Sequence, residues 1–335
     1  MHYRADDGVL ICGDARHLGE VPDDSVDLIT TDPPFNVGVN YGAGISDRLT
    51  EDEYGQFTRQ WLAEALRVLK PGGQLFAIMP EHLHVVWRSV VPVPAKVLTW
   101  HKTFVSHLHR GPSYLDATEP ILWIVKGPRP SVFHRTMHFY SDVDWFIGPN
   151  ATGESIKVPE MRLHPTPRPS WLFEEFVMRA TNPGDVVLDP MLGSGPAVVA
   201  ARRLGRRFIG YDLNPDYVVL AAARVERTMF DPTRLDRASN GALALREFIA
   251  WAFAHQHEFW PLKKDGDERA LGRLGPEFLA VRPQVLKKQL HIWGYNVTAV
   301  LDQWTKEGVI THEKGKRTRV VRVGDHSERL IVVRL

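Results

Sequence analysis

The most restrictive feature of this sequence is the alternation of apolar, strand-like runs with helical stripes over its first two thirds. The clearest stretch runs from Asp185 to Asp212, DVVLDPMLGSGPAVVAARRLGRRFIGYD, and predicts a strand, a glycine turn, a helix and a second strand. Strands that are joined through helices favour a parallel sheet with helices on both of its faces. The sequence therefore predicts an α/β domain with a largely parallel sheet.

Further elements extend this pattern along the chain. A helical stripe through Phe57, Trp61 and Leu69 is predicted to stop at Pro71-Gly72-Gly73. Asp231-Pro232 marks a boundary that predicts one domain over 1–230 and a second over 231–335. The other predicted strands are GVLICGD, DLITTD, QLFAIMP, KVLTWHK and PILWIVKG, and the other predicted helices are SWLFEEFVMRAT and DYVVLAAARVERTMF.

The last hundred residues have a different character. Two helices, PQVLKKQLHIWG and NVTAVLDQWTKEGV, are predicted on either side of a Gly-Tyr turn. The segment ITHEKGKRTRVVRVG then predicts a β-hairpin with Gly315 in its turn, and RLIVVRL predicts a final strand. Helix, turn, helix and hairpin is the plan of a winged helix, so we expect a small, mainly α, winged-helix-like domain.

The glycine turn indicates a cofactor site. Gly193, Ser194 and Gly195 lie between a strand and a helix, where glycines permit a tight turn and a close approach of the backbone to a ligand. Asp212 ends the next strand, 23 positions after Asp189, and a carboxylate there can hold the two hydroxyls of a ribose. The pattern fits a nucleoside-bearing cofactor, and at this point NAD remains an alternative.

An acid, two prolines and an aromatic ring end another predicted strand, in DLITTDPPFNVG. The exocyclic amine of a base is a poor nucleophile because its lone pair is delocalised into the ring. A site helps if a carboxylate and a backbone carbonyl accept its two N–H groups. Asp32 and the Pro33 carbonyl suit this role, Pro34 stiffens the turn, and Phe35 suits stacking on a base flipped out of the duplex.

These motifs carry a resemblance to a known family. DPPF followed by DPMLGSG resembles the DNA amino-methyltransferases of the β group, which use S-adenosylmethionine and release S-adenosylhomocysteine; the resemblance covers about residues 8–227. It implies a Rossmann-like methyltransferase sheet, and it makes Asp32, Pro33, Pro34 and Phe35 the catalytic tetrapeptide. HPTPRP resembles the segment before the cofactor motif, with Pro167-Arg168 in place of a commoner Gln-Lys. The implied cofactor-binding residues are Asp14, Asp32, Thr166, Asp189, Pro190, Gly193, Ser194, Gly195 and Asp212.

The target base and other chemistries can be weighed from single residues. In the family, an acid before Pro-Pro is more usual for adenine and a serine for cytosine, so Asp32 favours adenine N6 over cytosine N4. Cys12, the only cysteine, lies in an apolar strand, which argues against C5-cytosine methylation through a cysteine nucleophile. His101, His107 and His109 cluster, but their spacing suits no standard metal site, so no metal is expected.

The C-terminal helices supply candidate DNA contacts. From Arg282 to Leu335 the chain holds 11 Lys/Arg and 5 Asp/Glu, although the whole chain has a net charge of only +1. A basic excess of this kind suits a polyanion, although dimerisation or protein contact is an alternative use of a winged helix. The candidates are Asn296, Thr298 and Gln303 on the second helix, for base edges, and Lys314, Lys316, Arg317 and Arg319 on the wing, for phosphates.

The sequence therefore predicts a site-specific adenine-N6 methyltransferase that acts on double-stranded DNA in the cytoplasm, at the nucleoid. No apolar run approaches the length of a membrane span. A homodimer and a cognate restriction endonuclease are left open as partners. The alternatives are a cytosine-N4 enzyme, a catalytically inactive DNA-binding regulator on the same fold, a nicotinamide-dependent oxidoreductase, and a methyltransferase for RNA or protein glutamine.

Overall fold

A computed structural model of the chain divides into two compact units. The N-terminal unit comprises Met1–His101, Asp116–Arg135 and Asn150–Asp231, and the C-terminal unit comprises Lys102–Leu115, Thr136–Pro149 and Pro232–Leu335. The domain boundary expected at residue 231 remains a proposal. The structure describes residues 2–102, 116–134, 144–151, 161, 163–231, 244–245, 248–249, 251–252, 272–274, 278–292, 295–306, 309–311, 319–323 and 326–334.

The N-terminal unit is built on a mixed sheet. Eight of its strands follow one another in the order β1-β2-β11-β10-β3-β6-β8-β7. The five strands from β2 to β6 in this order are parallel, and β1, β7 and β8 run antiparallel to their neighbours. These strands are β1 (His2–Ala5), β2 (Gly8–Cys12), β3 (Val26–Thr31), β6 (Leu69–Ile78), β7 (Ala95–Lys102), β8 (Thr118–Val125), β10 (Val186–Asp189) and β11 (Arg207–Asp212).

Helices cover both faces of this sheet. Neighbouring residues of a strand point to opposite sides, so two consecutive residues of β6 show which helix packs on each face. Leu75 of β6 packs in one buried cluster with Trp61 of helix α1. The next residue, Phe76, stacks on Phe176 of helix α3, with ring centroids 4.6 Å apart. The predicted α/β, Rossmann-like fold is therefore confirmed. The helices of this unit are α1 (Glu51–Val68), α2 (His84–Val90), α3 (Ser170–Ala180), α4 (Pro196–Arg203) and α5 (Pro215–Glu226).

Helix α1 begins with a capping box and ends earlier than the sequence predicts. Thr50 and Glu53 form a capping box, in which the Thr50 side chain accepts from the Glu53 N–H and the Glu53 carboxylate accepts from the Thr50 N–H. The helix ends at Val68, earlier than the predicted stop at Pro71-Gly72-Gly73. These three residues lie inside β6, where the Gly72 N–H donates to the Lys126 carbonyl.

The connections place a topological switch point between β3 and β10. From β3 the chain passes through α1 to β6, on one side, and from β10 it passes through α4 to β11, on the other. In parallel α/β sheets, ligands bind outside the carboxyl ends of the strands at such a point. Asp32 follows the end of β3 and Asp189 ends β10, so both flank it. A small hairpin, β4 (Asn40–Gly42) with β5 (Ile45–Ser46), follows β3.

The C-terminal unit has its own buried cluster. Leu286 and Leu290 of helix α6 and Trp304 of helix α7 pack with Leu279 and Val333 from two strands. Its elements are α6 (Pro283–Ile292), α7 (Val297–Lys306), β9 (Trp145–Gly148), β12 (Gly272–Leu274), β13 (Phe278–Val281), β14 (Ile310–Thr311), β15 (Arg319–Val323) and β16 (His326–Arg334).

The two C-terminal helices lie where the sequence predicts them, but the hairpin differs. Both β14 and β15 pair antiparallel with β16, whereas the prediction paired β14 with β15 across Gly315. Among the described residues β14 and β15 therefore both pair with β16, and the predicted hairpin turn between them falls in residues 312–318, which the structure does not describe. Gly315 itself lies outside the described residues.

Candidate active site

Four predicted acids gather at one edge of the sheet. Asp14, Asp212, Asp189 and Asp32 follow or end β2, β11, β10 and β3, which are parallel neighbours in that order. All four line a pocket of about 460 Å³ within the N-terminal unit. A volume of this size suits a small organic ligand of the nucleoside class. The fold thus brings together residues that are up to 198 positions apart.

The Asp32–Phe35 turn is anchored from helix α1. The Tyr54 hydroxyl donates to the Pro34 carbonyl at 2.9 Å, and Tyr54 is fully buried. Asn36, the next residue after the turn, has a φ of 57°. Asp32 and Pro34 line the pocket, and Pro33 and Phe35 are not among its lining residues. Tyr54 was not among the predicted site residues, and the sequence places it only within the predicted helix YGQFTRQWLAEALRVLK.

Arg168 binds Asp32 directly, and the sequence analysis did not identify this contact. Its Nε donates to Asp32 Oδ2 at 2.7 Å, and its Nη1 lies 2.7 Å from Glu119 Oε2 and donates to Oε1 at 2.9 Å. The guanidinium carbon lies over the Phe35 ring, 4.7 Å from its centroid. The substitution of Arg168 for the commoner lysine in HPTPRP was the one available signal.

The two carboxylate oxygens of Asp32 have different surroundings. Oδ2 is bonded to Arg168, whereas Oδ1 is buried and accepts no hydrogen bond from the residues that the structure describes. Burial raises the pKa of Asp32 to about 6, against the opposing effect of Arg168. Asp47 Oδ1 is a second buried acceptor of a pocket-lining residue for which the described residues provide no donor.

The glycine turn wraps around the end of β11. The Gly193 N–H donates to Asp212 Oδ2 at 2.7 Å, and the Asn214 N–H donates to Oδ1 at 2.8 Å. Gly193 and Gly195 have φ of 51° and 79°, and a Cβ on Gly195 would lie 2.8 Å from the Ala221 Cβ. Only glycine adopts such a positive φ and fits so close to a neighbouring residue without strain. Burial raises the pKa of Asp212 to about 6, although these two backbone donors oppose the shift.

The remaining predicted cofactor residues differ in their surroundings. Burial raises the pKa of Asp189 to about 7, although the Met191 N–H donates to its Oδ1 at 3.1 Å. Asp14 is held by Arg16 through both oxygens. Burial disfavours its charge, yet Arg16 keeps the pKa of Asp14 below its ordinary value. Pro190 and Ser194 also line the pocket, whereas Gly195 is not among its lining residues.

His164 packs beneath the glycine turn. Its Nδ1 accepts from the Thr166 N–H at 3.3 Å, and its ring lies 4.7 Å from that of Tyr217. Burial lowers the pKa of His164 to about 4, so the ring is neutral near pH 7. A Cβ on Gly193 would lie 2.9 Å from His164 Nε2, which shows how closely this ring approaches the turn. Thr166 is exposed and lines the pocket.

A loop that was not predicted to belong to the site completes the pocket wall. We call residues 36–49 the hairpin loop, because they contain β4 and β5. Asn36 and Leu49 close its base through two reciprocal hydrogen bonds of 2.8 Å. The Asn214 Nδ2 donates to the Tyr41 carbonyl at 2.7 Å, which ties the loop to the segment between Asp212 and helix α5. Tyr41 and Asp47 line the pocket.

The predicted DNA contacts lie partly outside the described residues. Asn296 and Thr298 are exposed at the start of α7, and the Asn296 Oδ1 accepts from the Ala299 N–H. Gln303 is partly buried. Arg319 begins β15. The structure does not describe Lys314, Lys316 and Arg317.

The described part of the chain contains neither a cluster of metal ligands nor a membrane-spanning helix. There, no three His, Cys, Asp or Glu side chains come together as a metal site would require. No helix among these residues combines the length and apolar character needed to cross a membrane.

Comparisons with known proteins agree with this geometry. Residues 26–223 match a family model described as DNA methylase, of the N6 and N4 type, and residues 239–335 match a Cch helix turn helix domain. The Type II methyltransferase M.HpaI of Haemophilus parainfluenzae is 31% identical over 234 residues, which are 65% of this chain and 74% of that protein. The Type II methyltransferase M2.DpnII of Streptococcus pneumoniae is 30% identical over 251 residues, 67% of this chain and 92% of that protein.

A solved structure shares the fold. The PvuII DNA methyltransferase, which is cytosine-N4-specific, aligns with a TM-score of 0.55 and 22% identity over 66% of this chain and 87% of that chain.

Proposed function

Because this chain belongs to the DNA methylase family that its residues 26–223 match, we propose that it methylates the N6 amine of adenine in double-stranded DNA. The family uses S-adenosylmethionine as its methyl donor. The observation that carries the proposal is Asp32, which lines the pocket and whose buried Oδ1 accepts no hydrogen bond from the residues that the structure describes. An acceptor without a donor suits the N–H of an amine that arrives with the substrate.

The pocket residues fit the adenosyl part of the methyl donor. The carboxylate of Asp212 suits the ribose hydroxyls, and Gly193 at the turn gives the ligand a close approach to the backbone. Asp14, Thr166, Asp189, Pro190 and Ser194 complete the proposed cofactor wall. Gly195 is not among the lining residues and contributes through its left-handed backbone, which shapes the turn.

The proposed chemistry needs few groups from the protein. S-adenosylmethionine supplies a methyl group on a positively charged sulfur; the N–C bond forms while the C–S bond breaks, and the electron pair of that bond remains on sulfur. Asp32 Oδ1 and the Pro33 carbonyl accept the two N–H groups, which frees the nitrogen lone pair for the attack. The methylated nitrogen then loses one proton to Asp32, which passes it to water.

Phe35 is the proposed stacking platform for the flipped base. Because the Arg168 guanidinium already covers one face of the Phe35 ring, the base stacks on the opposite face. Adenine is the proposed target because in this family an acid before Pro-Pro, here Asp32, is more usual for adenine; the amine geometry suits both bases equally.

Transfer of labelled methyl groups to unmethylated duplex DNA tests the proposal. Digestion of the product to nucleosides, followed by mass spectrometry, is expected to give N6-methyladenine. Asp32→Ala is expected to abolish transfer and to retain binding of S-adenosylhomocysteine, measured by calorimetry. Detection of N4-methylcytosine instead would make cytosine the target base, and full activity in Asp32→Ala would refute the mechanism.

The C-terminal unit is the proposed DNA reader. Its match to a helix-turn-helix domain supports this role, with Asn296, which directly precedes α7, and Thr298 and Gln303 of α7 facing base edges. Lys314, Lys316, Arg317 and Arg319 are the proposed phosphate contacts. Replacing Thr298 and Gln303 together by alanine is expected to relax the choice of methylated sites in expressing cells. An unchanged methylation pattern would assign this unit to dimerisation or protein contact.

The partners of the protein and its location in the cell are further proposals. We propose a cognate restriction endonuclease because two similar proteins are type II methyltransferases. Protection of DNA from sequence-specific cleavage by that enzyme tests the pairing, and light scattering tests a homodimer. A DNA substrate also favours a cytoplasmic, nucleoid-associated location, which fluorescence microscopy of a tagged chain can test.

A further inference from the structure

Arg168 forms the centre of a largely buried charge cluster beside the proposed reacting atoms. The side chains of Arg168, Asp32 and Glu119 are only 14%, 17% and 12% exposed. The three residues come from distant parts of the chain: the segment before α3, the end of β3 and the start of β8. Burying three charges together is costly unless each is paired with good geometry, as these are.

The guanidinium is fixed on three sides. Its Nε meets Asp32 Oδ2, its Nη1 meets both oxygens of Glu119, and its plane lies over Phe35. Arginine presents its donors in a rigid fork, so a guanidinium held by Glu119 can orient a second carboxylate. Lysine, a point charge on a flexible stem, would not impose the same direction.

This arrangement makes the oxygens of Asp32 unequal. Arg168 occupies Oδ2, which leaves the buried Oδ1 as the acceptor that lacks a donor among the described residues. Turning the carboxylate plane away from this position would break the bond to Arg168, whereas a half-turn only exchanges two equivalent oxygens. The bond therefore selects one orientation of Asp32 before any substrate binds.

We propose that Arg168, held in turn by Glu119, is a positioning residue for methyl transfer: it fixes Oδ2 of Asp32 so that Oδ1 receives the amino N–H of the target base. This inference rests on the proposed function and extends it to two residues outside the catalytic tetrapeptide. The competing interpretation is a structural ion pair that only joins three parts of the fold.

The pH profile separates these two interpretations. The charged or titratable groups that act on or respond to Asp32 are Arg168, Glu119, Tyr41, Tyr54 and Asp189. Asp32 must be ionised to accept the N–H, so the single-turnover rate falls as the pH drops through the pKa of Asp32. Burial raises that pKa, Arg168 lowers it and Glu119 raises it. Removing Arg168 therefore moves the acid limb to higher pH, and neutralising Glu119 moves it to lower pH.

The experiment uses the full chain with S-adenosylmethionine and unmethylated duplex DNA of mixed sequence. Arg168→Met is expected to lower the single-turnover rate about 100-fold or more, because a misplaced catalytic group costs about that factor. Its KM for S-adenosylmethionine is expected to stay within about 3-fold, since the lost contact is not to the cofactor. Arg168→Lys is expected to keep a higher rate than Arg168→Met. Glu119→Gln is expected to shift the acid limb of the pH profile in the direction opposite to that of Arg168→Met.

Arg203→Met is the matched control, because Arg203 pairs with the buried Glu174 and is not among the pocket-lining residues. It is expected to leave the pH profile unchanged. Calorimetry with S-adenosylhomocysteine reports whether each variant is folded, independently of its activity. If Arg168→Met fails to bind this ligand, the rates and pH profiles of Arg168→Lys and Glu119→Gln test the positioning role instead. A rate within 3-fold of wild type in Arg168→Met, or an unmoved acid limb in Glu119→Gln, overturns the positioning role. Absence of transfer by the wild-type chain would instead overturn the proposed function.

Discussion

At the residue scale, the Asp212 carboxylate is the group on which cofactor affinity is expected to depend most. It is partly occupied by the backbone N–H groups of Gly193 and Asn214, and each oxygen retains a further lone pair for a ribose hydroxyl. We predict that Asp212→Asn weakens binding of S-adenosylhomocysteine by about 1.5–3 kcal/mol, the contribution of hydrogen bonds to a charged group. Isothermal titration calorimetry measures the change.

The same residue predicts a pH dependence. The pKa of Asp212 is raised to about 6, so the carboxylate is protonated below that pH and its capacity to accept from a ribose is reduced. Affinity in the wild-type chain should therefore fall as the pH drops below about 6, and Asp212→Asn should flatten this fall. Asp216→Asn, an equal charge change at an exposed position four residues away, is the control. An identical pH dependence in Asp212→Asn and wild type would remove Asp212 from the cofactor site.

Gly195 provides a prediction about stability. Its φ of 79° is unfavourable for any residue with a Cβ, and that Cβ would meet Ala221 at 2.8 Å. We predict that Gly195→Ala costs about 2–5 kcal/mol, from backbone strain plus overpacking, in urea unfolding monitored by circular dichroism. Gly44→Ala isolates the strain, because Gly44 has a φ of 78° with no atom within 4 Å of its added Cβ. Equal losses in the two variants would contradict the packing argument.

Individual residues differ in how far the sequence reveals them. The sequence was sufficient to select Asp32, Gly193 and Asp212, because each belongs to a short motif at a strand end, and all three line one pocket. Arg168 was not identified as a partner of Asp32, since the two lie 136 positions apart and only the folded sheet brings them together. Their proposed roles remain predictions for the experiments above.

At the element scale, the hairpin loop is held over the pocket by few bonds. Asn214 both caps helix α5, by accepting from the Asp216 N–H, and anchors the loop, by donating to the Tyr41 carbonyl. We predict that Asn214→Ser, which keeps a capping hydroxyl and loses the anchor, accelerates amide hydrogen exchange in residues 36–49 about 2- to 12-fold. Mass spectrometry of peptides measures the exchange.

A second substitution separates the two roles of Asn214. Asn214→Ala loses both bonds, so it should show the same faster exchange together with about 1 kcal/mol less stability from the missing cap. If exchange in residues 36–49 is unchanged in both variants, the bond to Tyr41 does not hold the loop.

Periodicity was a good guide to the helices and strands and a poor one to their pairing. Apolar spacing located α1, α3 and the strands on both sides of the glycine turn, because burial on one or both faces imposes that spacing. The entry into β6 at Leu69 was missed, because Pro71 and Gly72 suggest a turn where the chain continues as a strand. The pairing of β14 with β16 depends on contacts distant in sequence, which local patterns do not encode.

At the scale of the whole molecule, the two units bury separate apolar clusters. One contains Trp61, Leu75 and Leu188 of the N-terminal unit, and the other contains Leu286, Leu301 and Trp304 of the C-terminal unit. The pocket lies wholly within the first unit. Binding of the cofactor product should therefore stabilise one unit directly.

This separation predicts two thermal transitions that respond to different changes. S-adenosylhomocysteine at about 100 times its Kd adds about 2.7 kcal/mol to the unit that binds it, which corresponds to a rise of roughly 5–10 °C in that transition. Leu301→Ala, in the buried cluster of the C-terminal unit, should lower the other transition through a loss of about 2–5 kcal/mol. Differential scanning calorimetry of the full chain measures both. A single transition that moves as a whole under either change would mean that the chain unfolds as one cooperative body, despite its two clusters.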